Sequence, residues 1–380
     1  MAFQEHATTA LYVTHTDQLE ELVDHLLNQP LIAIDTESNS LYAYQERVCL
    51  IQFSTAHLDA LVDPFALDDL SLLGKVFIQP GIEKVFHAAE YDLLCLHRDY
   101  QFQFTQLFDT MIAARILGRK QIGLGSLLES EFGIKLDKHF QRANWGKRPL
   151  SPEMLAYAQD DTHYLLGLRE KLRDELQSRN LLALANEDFE RLCRINGHEN
   201  NCNGKNEEFW HICGSQDLTP QQAAILQEVY LYRDKMAKKL DRPLFKVFSD
   251  QTLLTLSRLS PLTQEELEKV SGLSPRQIDR YGHSLIQAVQ RGLHNPPLYP
   301  PHNNRPNEEF LDRLDKLRNW RKSTALRLGV PSDVILPRDV MMRLAQKPPR
   351  NQSELNILLT DVPWRREHFG SQILSLFLTK

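Results

Sequence analysis

The chain has 380 residues, 25% of them charged and 42% hydrophobic, more than one compact core of ordinary size holds, so two or three domains are expected. No stretch approaches the ~18 apolar residues of a membrane span, and neither a basic leader nor an apolar h-region opens the sequence. Five cysteines, an odd number without a C-x-x-C pair, argue against a disulfide framework, so the expectation is a cytoplasmic protein without a membrane partner. The net charge of -6 hides an asymmetry: residues 1–176 hold 15 Lys and Arg against 26 Asp and Glu, whereas residues 215–380 hold 25 against 18. An acidic half with clustered carboxylates and a basic half suits a division between metal chemistry and polyanion binding; compositional drift is the plainer reading.

Asp17 to Leu27 carries leucines and Val23 at helical spacing and stops at Asn28-Gln29-Pro30. Three strand-like runs follow, at 31–36, 47–54 and 58–63. In the first, Leu31-Ile32-Ala33-Ile34 suits a strand buried on both faces, and it runs directly into Asp35-Thr36-Glu37. Side chains at i and i+2 of a strand share a side, so the two carboxylates stand about 7 Å apart along it and call for a cation. An isolated D-x-E equally marks a strand that has reached solvent.

Lys84 to His87 reads as a short strand running into a helix, with Asp92 in one of its first turns, where the helix dipole alone accounts for an acid. Leu107-Phe108-Asp109-Thr110 reads as a strand followed by a cap, and two helices reach to about Phe132. A loop from Leu136 to Pro149 holds Lys138, His139, Gln141, Arg142, Trp145, Lys147 and Arg148. Ser151-Pro152-Glu153 then opens a long helix on which Tyr157 and Asp161 share a face, with Asp160 a competing position that spacing does not exclude. Strands first, then strand and helix in alternation, imply a mixed sheet packed by helices.

Three of these motifs, in order, resemble the exonuclease motifs of the DEDD superfamily: Asp35-x-Glu37, His87-Ala88-x-x-Tyr91-Asp92 and Tyr157-x-x-x-Asp161. Asp109-Thr110 and Arg148-Pro149-Leu150 are similar to elements of its ribonuclease D branch. Ala156 stands where the other subclass has histidine, so the tyrosine subclass is indicated and Asp161 is the matching acid; Asn144, where an acid is commoner, is a departure that bears on substrate contacts. The resemblance spans about residues 10–180 and implies an RNase H-like mixed sheet flanked by helices. It also implies two divalent ions, Mg²⁺ or Mn²⁺, held by Asp35, Glu37, Asp92 and Asp161, with Tyr157 orienting the attacking water. His87, Lys138, Gln141, Trp145 and Arg148 are the candidate substrate contacts. The implied activity is 3′ to 5′ hydrolysis of RNA ends, on tRNA precursors and structured RNA, releasing 5′-mononucleotides. A 3′ to 5′ DNA exonuclease and a non-catalytic nucleic-acid-binding scaffold are the alternatives, and five filled site positions weigh against the scaffold.

Beyond residue 214 the chain repeats at a constant offset of 88: Tyr232-Arg233 on Trp320-Arg321, Pro243 on Pro331, Glu266-Leu267 on Glu354-Leu355 and Gly282 on Gly370. Each copy resembles an HRDC domain, joined by the proline-rich stretch from His294 to Pro301. The expected layout is an α/β exonuclease domain over 1–180, a connector over 181–214, and two all-α domains over 215–295 and 296–380, in a monomer. Cys193, His198, Cys202, His211 and Cys213 are zinc-competent types at spacings that fit no usual finger or ribbon, so no metal is expected there.

Overall fold

The structure, a computed structural model, describes residues 9–194, 208–301 and 307–378. These fall into two units, one holding the described residues up to 38 with 48–194 and 307–378, the other holding 39–47 with 208–301. The first unit begins with β1 (Leu11–Val13), α1 (Thr16–Leu27), β2 (Leu31–Ser38), β3 (Val48–Ser54), β4 (Asp59–Val62), α2 (Ser71–Ile78), β5 (Glu83–Phe86) and α3 (Glu90–Tyr100). It continues through β6 (Leu107–Asp109), α4 (Thr110–Ile116), α5 (Leu124–Phe132), α6 (Pro152–His163), α7 (Leu165–Ser178) and α8 (Leu182–Cys193).

The six strands form one sheet in the order β1-β4-β3-β2-β5-β6, with β3 antiparallel to both neighbours and the other pairings parallel. β2 is therefore central, and its continuous apolar start fits that place: Ile32, Ala33 and Ile34 are all fully buried. The helix expected from residue 151 is two, because the chain breaks at Tyr164 between α6 and α7. Ser151 caps α6 by accepting from the Met154 N–H at 3.3 Å, and α6 lies against β2, β3 and β4. β1, α2 and α8 were not anticipated. β1 is three residues long and α2 is apolar nearly throughout, so neither carries a readable period.

The second unit contains α9 (Pro220–Leu240), α10 (Leu244–Val247), α11 (Asp250–Leu259), α12 (Gln264–Leu267) and α13 (Pro275–His294). The segment 39–47 belongs to this unit: the Tyr44 hydroxyl donates to Asp234 at 2.5 Å and its N–H to Asp241 at 3.1 Å. The first unit resumes with α14 (Glu308–Leu328), α15 (Ser332–Ile335), α16 (Arg338–Gln346), α17 (Gln352–Leu358) and α18 (Pro363–Leu378). The repeat holds at atomic detail. Arg233 donates to the Phe248 carbonyl and Arg321 to that of Leu336; Glu266 accepts from the Leu262 N–H and Glu354 from that of Arg350. Gly282 makes room for Leu267 as Gly370 does for Leu355.

The second copy is built into the nuclease unit. Arg365, fully buried, pairs with Glu187 at 2.5 Å and Asp188 at 2.8 Å on α8, and Glu187 also accepts from the Trp364 N–H. Arg191 reaches Asp361 at 2.5 Å and Asp339 at 2.8 Å, and Val334 joins the nuclease core. The connector residues 195–207, including His198 and Cys202, lie outside the described residues. Cys49, Cys95, Cys193 and Cys213 are free thiols. Among the described residues no helix is long and apolar enough to cross a membrane.

Removing Arg365 strands the buried Glu187 carboxylate without its cation. Arg365→Met should therefore cost about 3–5 kcal/mol of unfolding free energy, read from urea melts. A change below about 1 kcal/mol would mean the pair is no brace.

Candidate active site

The central strand places the first two acids. Asp35 and Glu37 are two residues apart on β2 and both line a cleft of about 370 Å³, together with His87, Lys138, Gln141, Tyr157 and Asp161. The cleft wall also includes Thr36, Gly123 to Ser126, Leu136 and Asp137. Tyr157 and Asp161 reach it from α6, one turn apart. Asp92, 6% exposed near the start of α3, sits behind the opening, where it accepts a short hydrogen bond from the Thr36 hydroxyl.

Electrostatics tie the four acids into one group. Burial, then Asp92, Asp161 and Glu37, raise the Asp35 carboxyl well above the ordinary range. Burial with Asp161 and Asp92 pushes Glu37 up to about 9. Asp92 rises to about 7 mainly through burial, against the Thr36 hydrogen bond, and Asp161 to about 7 through burial, Asp160 and Asp92. The Tyr157 phenol is also raised, by burial and the neighbouring acids, so it keeps its proton at neutral pH.

Asp109 organises the rear of the site. Buried at the end of β6, it accepts from the N–H groups of Met111 (2.8 Å) and Ile112 (3.0 Å), capping α4, and from those of Ala88 (3.3 Å) and Ala89 (2.7 Å). Ala88 adopts a left-handed φ of 65°, which costs a non-glycine residue about 1–2 kcal/mol and turns β5 into α3. Thr110 donates its hydroxyl proton to the Phe86 carbonyl at 3.1 Å, so His87 Nδ1, 2.9 Å away, must donate to Thr110. Burial lowers the His87 pKa to about 4, leaving a neutral ring whose Nε2 is an acceptor. Thr36, Asp109 and Thr110 thus position the site; of these, Asp109-Thr110 was visible in the sequence only as a motif element, and Thr36 only as the unspecified residue of D-x-E.

Two candidate substrate contacts lie elsewhere. Trp145 is 1% exposed and packs with Leu50, Leu61 and Ala158, its ring 6.0 Å from that of Tyr157. It braces the tyrosine and cannot stack on a base. Arg148 spends its guanidinium on Asp63 (2.6 and 2.7 Å) and on the carbonyls of Cys49, Trp145 and Lys147, so it fastens the loop to β3 and to the end of β4. Asp160 does not line the cleft.

Among the described residues no three acidic, His or Cys side chains form a ready-made cation cage. The donor set nevertheless fits hard divalent ions, since Asp35, Glu37 and Asp161 are each raised by neighbouring acids, Asp92 among them, and all four carboxylates offer only oxygen.

A mixed sheet with acids delivered by a central strand and two flanking helices, followed by two helical repeats, defines a DEDD-type 3′–5′ exonuclease with HRDC domains. The 3′-5′ exonuclease family model matches residues 11–177, and the HRDC domain model matches 222–289 and 310–376. A ribonuclease D of Shewanella is 30% identical over 290 residues, covering 75% of this chain and 74% of that protein. The chain belongs to the ribonuclease D family. Protein RRP6-like 3 of Arabidopsis thaliana is 34% identical over 290 residues, but this chain, matched over 69% of its length, spans only 32% of that protein. The crystal structure of Escherichia coli RNase D shares the fold, with a TM-score of 0.70 at 24% identity, covering 98% of this chain and 99% of that one. The family carries the expectation of divalent-metal use.

The raised carboxyls have a measurable consequence. Without metal, the folded protein holds more protons than the unfolded chain between the unfolded carboxyl range near 4 and the folded values of about 7 to 9. Its stability in EDTA should therefore fall as pH rises through that window, and saturating Mn²⁺ should flatten the dependence. Urea melts at pH 5, 7 and 9, with and without the ion, check it; a stability that rises with pH in EDTA would contradict the crowding described.

Proposed function

We propose that the chain is a metal-dependent 3′–5′ exoribonuclease that shortens RNA from its 3′ end and releases 5′-mononucleotides, acting on tRNA precursors and other structured RNA. The observation that carries this reading is the one cleft shared by Asp35, Glu37, Tyr157 and Asp161, with Asp92 buried behind it, in a chain of the ribonuclease D family.

Asp35, Glu37, Asp92 and Asp161 would hold two ions, Mg²⁺ or Mn²⁺. When bound, such ions supply charge neutralisation at the phosphate and lower the pKa of a coordinated water. The remaining work falls to the chain. By the family's pattern Asp35 would serve both ions, Glu37 and Asp161 the ion that activates water, and Asp92 the other. The neutral Tyr157 hydroxyl orients the attacking water, its ring held by Trp145 and by Phe140 at 6.0 Å. Lys138 brings the positive charge that a phosphate requires on an otherwise acidic wall. His87 Nε2, an acceptor without a proton, suits a ribose hydroxyl better than a phosphate oxygen.

The basic balance of residues 215–380 supports sequence-independent contacts to the RNA backbone. A soluble monomer acting in the cytoplasm completes the reading.

The deciding assay presents the purified protein with 3′-extended tRNA and with single-stranded DNA in Mg²⁺ or Mn²⁺, and resolves products by length. Stepwise shortening of the RNA is expected, and preference for DNA would favour the alternative exonuclease. Asp35→Asn and Asp161→Asn should each lower the rate about 10³-fold, equivalent to ~4 kcal/mol of transition-state stabilisation, with the fold intact. Tyr157→Phe removes one hydrogen bond and no charge, so a loss of about 10- to 100-fold is expected. Equal losses for tyrosine and aspartate variants would refute the separate roles.

His87→Ala should narrow the preference for RNA over DNA by about tenfold, the value of one neutral hydrogen bond, while DNA hydrolysis changes little. Parallel losses on both substrates would remove the ribose assignment.

A further inference from the structure

Gln52 is fully buried in the middle of β3, and neither its amide nitrogen nor its amide oxygen has a hydrogen-bond partner among the described residues. Buried amides are nearly always paired, so an unpaired one inside a sheet needs a reason. Its position supplies one. In the antiparallel pairing of β2 with β3, Gln52 stands directly opposite Asp35. Opposed residues share a face with their Cβ atoms about 4.5–5.5 Å apart, within reach of a glutamine side chain.

The other neighbours on that face offer little. Leu61, opposite Gln52 on β4, and Leu50, two residues along β3, are apolar. Ser54, two residues the other way, gives its hydroxyl to Thr162 of α6 at 2.7 Å. α6 closes over this face with the small, fully buried Ala158, which packs in one cluster with Leu50 and Leu61. Two carboxylates share the face, Glu37 diagonally across, opposite Leu50, and Asp35 directly opposite the amide; Asp35 is therefore the acceptor that the strand register sets nearest to Gln52.

We propose that Gln52 is a positioning residue for Asp35 when the site holds its ions: the amide N–H, which makes no hydrogen bond in the structure, would then donate to one oxygen of the ionised Asp35 carboxylate and so keep the other towards the cleft. The inference rests on the reading of Asp35 as a metal-holding carboxylate. Outer-shell partners of this kind orient ligands, and their loss weakens metal binding without touching the metal.

The test uses the full-length protein without RNA and follows Mn²⁺ binding by electron paramagnetic resonance of the free ion, for Gln52→Met, Asp35→Asn and the double variant. Gln52→Met keeps the volume and removes an unpaired buried amide, so its Tm should equal or exceed that of the unaltered protein. Its Mn²⁺ affinity should fall about 10–100-fold, and the double variant should bind no more weakly than Asp35→Asn alone. In turnover, the Mn²⁺ concentration giving half-maximal rate should rise while KM for RNA stays unchanged. Unaltered Mn²⁺ affinity in Gln52→Met, or a further loss in the double variant, overturns the proposal. If Gln52→Met does not fold, Gln52→Leu replaces it, and failure of both to fold makes Gln52 a structural residue and overturns it too. Normal Mn²⁺ binding by Asp35→Asn would instead refute the metal assignment of Asp35.

Discussion

Four carboxylates confined behind one cleft repel each other, and much of the first unit is an arrangement for tolerating that repulsion. A chain left to itself would splay them into water. Here Asp35 and Glu37 are fixed by a strand with a neighbour on each side, and Asp161 by a helix lying across three strands. Asp92 is held by a hydroxyl from between the other two acids. The scaffold opposes a like-charge cost that protonation relieves in the metal-free protein and that divalent cations would relieve in the working one.

Rigidity behind the site comes from a single buried side chain. Asp109 satisfies backbone groups on both sides of the β5 to α3 turn and at the start of α4. It therefore fixes the entry of the helix that carries Asp92 and, through its neighbour Thr110, the tautomer of His87. Two residues that read in sequence as a strand end and a cap set the positions of two side chains seventeen or more residues earlier in the chain.

The central acids were legible only as an ordered set: D-x-E alone also fits a strand that reaches solvent and spacing alone leaves Asp160 beside Asp161, but three motifs in sequence resemble one exonuclease family. The repeat was legible because an ungapped offset survives as identity at glycines, prolines and Arg233/Arg321, and the glycines and arginines have matching packing and hydrogen-bond reasons in both copies. Trp145 and Arg148 misled because aromatic and basic residues in a loop look alike whether they face solvent or fold inward. Only the cross-chain partners, Asp63 for the arginine and Tyr157 for the tryptophan, distinguish the two cases. The attachment of the second copy to the nuclease was not legible, since Arg365 and the acids Glu187 and Asp188 are separated by nearly half the chain and no local pattern joins them.

That pairing changes what each copy of the repeat is free to become. Offset by 88 from Arg365 stands Gln277, an uncharged residue with no buried acid to answer, its amide bonded at 3.2 Å to the Val247 carbonyl inside its own copy. A duplication ordinarily leaves both daughters equally open to drift. Here the second daughter answers to two cores, its own and the nuclease's, so substitutions on its α8-facing side are filtered twice. At the corresponding place the first daughter holds Gln277, bonded within its own copy, so that position is filtered by a single core.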